Sequence, residues 1–357
     1  MPKIKRAHKI IGEEVILMKK PTLCLIFGGK SPEYYVSLSS AYSVIKALEE
    51  KEYDLIKIGI TRDGKWYLYT GENEKIANDT WHNGSIMPVL LDVSNGLLLV
   101  GKRKIKPDKI FPILHGENGE DGHASALCDM GGLPCAGTGM MPSALCMDKH
   151  LTKLVAREAG ILVADWVSIA RGEDTEGKIS EIEEKIKYPC FVKPATTGSS
   201  VGVKIAKNRQ ELNFAIEEAL AYSQRVLVEK KINARELEIG VIARDGAPYL
   251  SQVGEVKYKA EFYDYDAKYK SSENEYQIPA EISEKTEKRL RECAKKLFYA
   301  LGIDALCRMD FFLSEGGELI LNEVNTMPGF TKSSMFPMLF SDMGHTFSEI
   351  LNIILNI

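Results

Sequence analysis

The sequence predicts a chain that opens as an α/β domain and continues as α+β. Three observations predict it. Residues 22–27 (TLCLIF) form an apolar run that stops at Gly28-Gly29, followed by a helical pattern and a second run at 54–60. This β–loop–α–β opening is that of a doubly wound domain, whose ligands sit at the carboxyl ends of its strands. Beyond residue 188 the apolar runs are short, with amphipathic helices at 210–223 and 283–301 among them. Near the C-terminus MDFFL and ELILNEV flank Ser314-Glu315-Gly316-Gly317, which is hairpin punctuation.

The 357 residues suffice for two or three domains with buried cores. A composition 45% apolar and 27% charged is that of a soluble globular protein. Lys and Arg total 46 against 50 Asp and Glu, a net charge of −4, which excludes the global basic field of a nucleic-acid binder. The seven cysteines form no CxxC pair; with no signal peptide to be seen, reduced thiols in the cytosol are expected. No apolar run reaches the length of a membrane span. Residues 1–20, Lys-rich but with two acids, read as an N-terminal extension.

Along the chain, Ser31-Pro32-Glu33 opens a helix running to about residue 50, with Val36, Leu38, Ala41, Val44, Ile45 and Leu48 at helical spacing. Gly28-Gly29 is not a GxGxxG fingerprint, so Glu33 beside it is the more telling residue, unless it merely favours the helix dipole. Small strands and loops fill 61–105. A strand at 106–114 runs into HGENGEDG at 115–122, a loop too polar to pack as core. It joins Glu33 at one rim, with His115 as a candidate ligand contact. One helix is expected from Ser143 to Gly160 at C′, with Lys149 among apolar neighbours and Lys153 and Arg157 following it on a basic face.

A strand at 188–193 ends on Lys193-Pro194. Gly198, Ser199, Ser200 and Gly202 then form a loop between Lys193 and Lys204, whose N–H groups, hydroxyls and ammonium groups suit a polyphosphate without matching a Walker A motif. Glu229-Lys230-Lys231-Ile232 closes the next strand, and its mixture of carboxylate, backbone and apolar groups could read an adenine edge and ribose. Strands follow at 235–243, where Glu236 and Glu238 alternate, and at 249–256. The tyrosine-rich stretch 262–276 lacks any apolar period and reads as a lid. A final helix is expected over about 343–357. On the hairpin, Arg308, Asp310 and Phe312 share one strand face, and Glu323 and Asn325 another. Pairing would gather an arginine, two carboxylates and an amide oxygen, the hard donors that Mg²⁺ with bound phosphate requires. Solvated charges are the bland alternative, disfavoured because bare charges in apolar strands are costly to bury.

Taken in order, the motifs run GG-SxE, LHGxxGEDG, MDK, VKPxxxGSS, EK, YDYDAKY, RMDFF and NEVNTxPGFT. The series resembles the D-alanine–D-alanine ligases of the ATP-grasp superfamily over residues 22–357. The resemblance implies an ATP-grasp fold preceded by a Rossmann-like α/β domain. It divides the chain into an extension (1–20), an N-terminal α/β domain (21–137), a central ATP-grasp subdomain (138–228) and a C-terminal one (229–357) with the lid at 262–276. It implies ATP as cosubstrate, contacted by Lys149, Lys193, Ser200, Glu229, Lys230, Ile232 and Glu236. Two Mg²⁺, with Mn²⁺ able to substitute, would be held by Asp310, Glu323 and Asn325. Two D-alanine sites are implied. Glu33, in a network with Ser199 and Tyr269, would hold the first ammonium, with His115 near that substrate. Arg308 and the Gly329 N–H would face the oxyanion, Ser334 and Met335 the second carboxylate, and Lys268 and Tyr269 belong to the lid. A cytoplasmic homodimer without nucleic-acid or membrane partners is the accompanying expectation.

Three features depart from the family pattern: Ser125-Ala126, expected on a helix behind the 115–122 loop, Lys332 beside the acceptor site, and the extension. Two other readings compete. One is a ligase joining D-alanine to D-serine or D-lactate, against which Ala267-Lys268-Tyr269 and Met335 argue. The other is an ATP-binding regulator without catalysis, against which the intact set of candidate ligands argues.

Overall fold

A computed structural model of the protein describes residues 20–48, 53–257 and 275–355. β1 (Thr22–Gly28), α1 (Tyr34–Leu48) and β2 (Asp54–Ile60) form where the periodicity places them. Next come β3 (Trp66–Tyr69), the short α2 (Glu74–Ala77), β4 (Ile86–Pro88) and a small meander of β5 (Leu90–Asp92), β6 (Leu97–Val100) and β7 (Arg103–Ile105). β8 (Lys109–Ile113) returns beside β1, giving the order β4-β3-β2-β1-β8 with β2, β1 and β8 parallel. Because β1 and β8 are parallel neighbours, Glu33 and the 115–122 loop emerge at the same edge. α3 (His123–Met130) closes that loop and carries Ser125 and Ala126.

The helix expected over 143–160 is two helices. α4 (Met140–Met147) and α5 (Lys149–Glu158) break at Asp148, which is extended and accepts N–H bonds from His150 and Leu151 at 2.8 and 3.1 Å. Aspartate is a strong N-cap, and this cap makes Lys149 the first residue of a helix. Gly160, at φ +73°, occupies the C′ position as expected.

The central antiparallel sheet, β11-β10-β12-β9, contains β9 (Trp166–Ala170), β10 (Cys190–Pro194), β11 (Lys204–Ala206) and β12 (Arg225–Lys230). α6 (Thr175–Lys185) and α7 (Arg209–Tyr222) cover one face through Ile179, Ile182, Leu212 and Ile216. The last sheet, β15-β14-β13-β16-β17, is built from β13 (Ala234–Arg244), β14 (Ala247–Lys257), β15 (Glu275–Gln277), β16 (Leu306–Ser314) and β17 (Leu319–Asn325). Its apolar face, with Leu237, Ile239, Met309, Phe311 and Leu321, packs with residues of α4, α5 and α8 (Glu284–Leu301). Ser283 caps α8, and Gly302 at φ +69° ends it.

Other expectations change. β12 runs to Lys230, so a division between 228 and 229 cuts a strand of the central sheet. α4 and α5 contribute Cys146 and Ala156 to the core of the last sheet, although the sequence reading grouped them with the central subdomain. The final helix, α10 (Phe347–Leu355), begins later than the expected 343, and α9 (Met335–Ser341), which the sequence reading did not single out, precedes it, with Gly344 at φ +90° between them. Residues 1–19 and most of the lid, including Lys268 and Tyr269, lie outside the described residues. The last two residues of the expected lid, Glu275 and Tyr276, belong to β15. Among the described residues no helix is long and apolar enough to cross a membrane.

α9 lies against the second face of the last sheet. A Cβ on Gly240 would stand 2.7 Å from the Phe340 ring, and one on Gly254 2.7 Å from Leu339. Glycine at both positions lets the helix approach, and Gly240 is the register partner of Arg308.

Candidate active site

The last sheet supplies the charged floor of the site. Register places Glu238, Asp310 and Glu323 in one row across β13, β16 and β17, and Arg308 opposite Asn325 in the next. The intervening residues point into the core, so period-2 alternation separates the chemistry from the packing. Arg308 donates to both Asp310 oxygens, Nε to Oδ1 at 2.8 Å and Nη2 to Oδ2 at 2.7 Å, and its Nε lies 2.9 Å from Glu238 Oε2. Burial by itself would lower the guanidinium pKa, but Asp310 and Glu238 overcome it and hold Arg308 well above the ordinary arginine value. A bulge between Asp310 and Phe311 inserts Asn322 on β17, and both Asn322 and Glu323 consequently reach the cleft.

The expected metal trio, Asp310, Glu323 and Asn325, lies side by side on the paired strands β16 and β17. Among the described residues, the acids whose oxygens lie within 4.8 Å of one another are Glu236, Glu238 and Asp310. Asn325 turns its amide nitrogen to Asp310 Oδ2 at 3.0 Å, where the sequence reading expected an amide oxygen toward metal. The donor set remains one of hard oxygens around a shared carboxylate, which fits a divalent cation such as Mg²⁺.

Above this floor, between the central and last sheets, lies a cleft of ≈ 630 Å³. Its walls include all seven residues expected to contact nucleotide, Lys149, Lys193, Ser200, Glu229, Lys230, Ile232 and Glu236, together with Glu323. The volume is that of a cosubstrate pocket. Lys149 Nζ donates to the Thr197 carbonyl at 2.6 Å, and its N–H to Ala195 at 2.9 Å, tying the start of α5 to the Gly/Ser loop. Ser199 and Ser200 sit at φ +49° and +57°, a left-handed conformation that L-residues adopt only when their surroundings impose it.

Lys153, expected on a solvated basic face, is instead buried, with 2% of its side chain exposed. It lies 3.3 Å from Glu229 Oε1, while Lys193 lies 2.9 Å from Oε2 of the same carboxylate. Burial would raise the Glu229 pKa, but the two lysines bring it from its ordinary 4.5 down to about 2. Burial, opposed by Glu229 and reinforced by Lys193, lowers that of Lys153. The only sequence signal was the i+4 spacing from Lys149; the partner is set by packing. A depressed carboxylate contributes stability that is complete above about pH 4.5 and lost as pH falls toward 2. Lys153→Met should therefore destabilise the protein by about 1–3 kcal/mol in neutral-pH denaturant melts, because it leaves one oxygen of the buried Glu229 carboxylate without its partner while Lys193 keeps the other. It should also move the acid loss of stability to higher pH. A variant as stable as the parent would show that Glu229 does not need the second lysine.

Beside Ser200 of the cleft wall, Ser199 donates a hydroxyl hydrogen bond to the buried Glu33. A Cβ on Gly198 would stand 2.8 Å from Glu33 Oε2, and one on Gly116 2.7 Å from Ser31 Oγ, so the corner closes only over glycine. His115 adjoins it at the end of β8, but its ring faces protein. Nδ1 lies 2.9 Å from the Met327 carbonyl oxygen and 3.3 Å from Glu120 Oε1, and Nε2 lies 3.0 Å from Ser40 Oγ. The expected substrate contact through the ring is therefore replaced by contacts between elements. Gly329 and Ser334 share the loop 326–334, where Ser334 Oγ accepts from the Thr331 N–H at 3.1 Å. The Met335 side chain is buried with Leu339 and Val256. Lys332 is exposed.

Two antiparallel sheets closing on a nucleotide-sized cleft, with acids and an arginine on its floor and an α/β domain at one end, define an ATP-grasp enzyme. Comparison with known sequences narrows this. The model of the D-ala D-ala ligase N-terminus matches residues 22–138, and that of the D-ala D-ala ligase C-terminus matches 155–356. The chain belongs to the D-alanine–D-alanine ligase family. It is 40% identical over 341 residues to D-alanine–D-alanine ligase B of Clostridium tetani, covering 94% of this chain and 93% of the other. It is 41% identical over 343 residues to the D-alanine–D-alanine ligase of Geobacillus thermodenitrificans, covering 93% of each. Among solved structures, the VanG D-Ala:D-Ser ligase of Enterococcus faecalis superposes with a TM-score of 0.88 at 39% identity, covering 95% of this chain and 99% of that one. The D-alanine–D-alanine ligase of Coxiella burnetii gives 0.84 at 30% identity, covering 94% and 93%.

Proposed function

We propose that the protein joins two D-alanines into D-alanyl-D-alanine, a peptidoglycan precursor, with ATP converted to ADP and phosphate. One observation carries the reading: a single cleft collects the seven nucleotide-type residues together with Asn322 and Glu323 of the charged hairpin. Glu33 holds the ammonium of the first D-alanine. The carboxylate of that D-alanine attacks the γ-phosphorus, the bond to the ADP oxygen breaks, and a D-alanyl phosphate forms. Lys149 and Lys193 meet the phosphates, while Glu229, Lys230, Ile232 and Glu236 surround adenine and ribose. The amine of the second D-alanine, its carboxylate at Ser334 and the first turn of α9, then attacks the acyl carbon, and phosphate leaves. Arg308 and the Gly329 N–H face the oxyanion formed on the way.

Asp310, Glu323 and Asn325, with Glu236 and Glu238 beside them, would hold two Mg²⁺, or Mn²⁺ in their place. Such ions neutralise phosphate charge and align the transfer. In the family pattern Lys268 and Tyr269 help to exclude water from the acyl phosphate. D-Serine as acceptor is the second reading, favoured by the likeness to the VanG ligase. An apolar residue at 335 and the Ala267-Lys268-Tyr269 sequence support D-alanine. The test is ADP release at neutral pH with D-alanine alone and with D-serine or D-lactate added, products identified by mass. D-Alanyl-D-alanine should dominate; a preferred D-serine or D-lactate product would overturn the acceptor, and ATP binding without ADP release would overturn the ligase.

A further inference from the structure

Between the N-terminal domain and the 326–334 loop runs a buried chain of three hydrogen bonds. The Phe330 N–H donates to Ser40 Oγ at 3.2 Å, Ser40 Oγ lies 3.0 Å from His115 Nε2, and His115 Nδ1 lies 2.9 Å from the Met327 carbonyl oxygen. Ser40 is fully buried, and His115 is 3% exposed. The direction of the chain follows from its ends. A carbonyl only accepts, so Nδ1, which also faces Glu120 Oε1 at 3.3 Å, carries a proton, and in that tautomer Nε2 is the acceptor. The Ser40 hydroxyl donates to Nε2 and keeps lone pairs for the Phe330 N–H. This arrangement satisfies every polar group along the chain.

The chain grips both ends of the segment Met327-Pro328-Gly329-Phe330. Between the grips proline has no N–H, so the backbone donor left within the segment belongs to Gly329. The Phe330 ring adds a second hold, edge-on to Phe111 with centroids 6.0 Å apart. Ser40 comes from α1 and His115 from the end of β8, so both grips are fixed by the rigid N-terminal sheet.

We propose that Ser40 is a positioning residue for the reaction: through His115 it fixes the Met327–Phe330 turn and so the direction of the Gly329 N–H. The proposal rests on the ligase reading, which gives that N–H to the oxyanion. A donor aimed at developing charge acts only when preorganised, and a displacement of about 1 Å can cost about a hundredfold in rate. Ser40 touches neither substrate, so its effect should fall on the transition state and leave ground-state binding alone.

The experiment compares wild type, Ser40→Ala and Ser40→Cys. Measured are kcat, KM for ATP, affinity for ADP, and affinity for a phosphinate dipeptide that mimics the tetrahedral intermediate, with thermal melting as a control. For Ser40→Ala, kcat should fall about ten- to a hundredfold and phosphinate affinity should fall in parallel, while KM for ATP and ADP affinity stay within about twofold. Ser40→Cys, a weaker donor of similar shape, should lie between, and it decides the matter by the same split if the alanine variant fails to fold. Unchanged kcat in a folded variant, or equal losses of ADP and phosphinate affinity, overturns the proposal. A wild type that releases no ADP with D-alanine overturns the ligase reading itself.

Discussion

Glu323→Gln is expected to abolish dipeptide formation while the protein keeps its fold. The substitution preserves shape and removes one negative charge from a floor where Glu236, Glu238, Asp310 and Glu323 surround Arg308. Relief of that crowding should leave the thermal midpoint of the free protein unchanged or raised. The cation, however, needs the carboxylate: an amide oxygen is a weaker ligand, and γ-phosphoryl transfer between two anions has little other help. Turnover should fall by at least about a thousandfold, the scale on which a charge-stabilising group acts in such transfers. Mn²⁺ binding in the presence of ADP should weaken with it, which is measurable by electron paramagnetic resonance. Unchanged turnover would remove Glu323 from the metal set.

Arg308→Lys should have the second largest effect. Lysine keeps the charge but loses the fork that meets both Asp310 oxygens at 2.8 and 2.7 Å and Glu238 at 2.9 Å. Loss of an oxyanion donor lowers kcat by about 10²–10³, and a misdirected ammonium should fall in that range. KM for ATP should change little, because the adenine and phosphate contacts lie elsewhere in the cleft. Arg308→Met is the less clean variant: it leaves Asp310 and Glu238 as uncompensated buried charges, a loss of about 3–5 kcal/mol in stability. A lysine variant within a few-fold of the parent would show that Arg308 serves the fold and not the oxyanion.

Much of the site was legible because its residues lie where a local pattern breaks. Charges in MDFFL and ELILNEV stand out against apolar alternation, and Gly198 to Gly202 interrupts two strands. Glu33 follows a glycine turn at a strand end. The structure sets the hairpin and the Gly/Ser loop around one cleft and Glu33 against Ser199 of that loop. Legibility stopped where a residue's meaning depends on a distant partner. Lys153 has the same local spacing as a solvated lysine, and only the approach of β12 to α5 converts it into half of the hold on Glu229. Glu238 looked like an ordinary alternating acid until β16 brought Arg308 against it. Asn322 reaches the cleft through a bulge, which no two-residue period anticipates.

The same limit explains the corrections. Asp148 is a strong N-cap inside what reads as continuous helical periodicity. His115 looked like a ligand residue because it opens a glycine-rich loop, but Ser40 and Met327 take its nitrogens. Met335 sits in an acceptor motif while its side chain belongs to the core.

By itself the sequence determined the strands and most helices, the family, and the types of side chain that chemistry requires. Periodicity records which side of an element meets water, and motif order records ancestry. Tertiary structure alone decided which carboxylate holds which cation, where the bulge turns β17, and how Ser40 and His115 fasten the turn around Gly329. Those outcomes depend on the meeting of surfaces far apart in the chain, where burial makes each charge or donor require a specific partner.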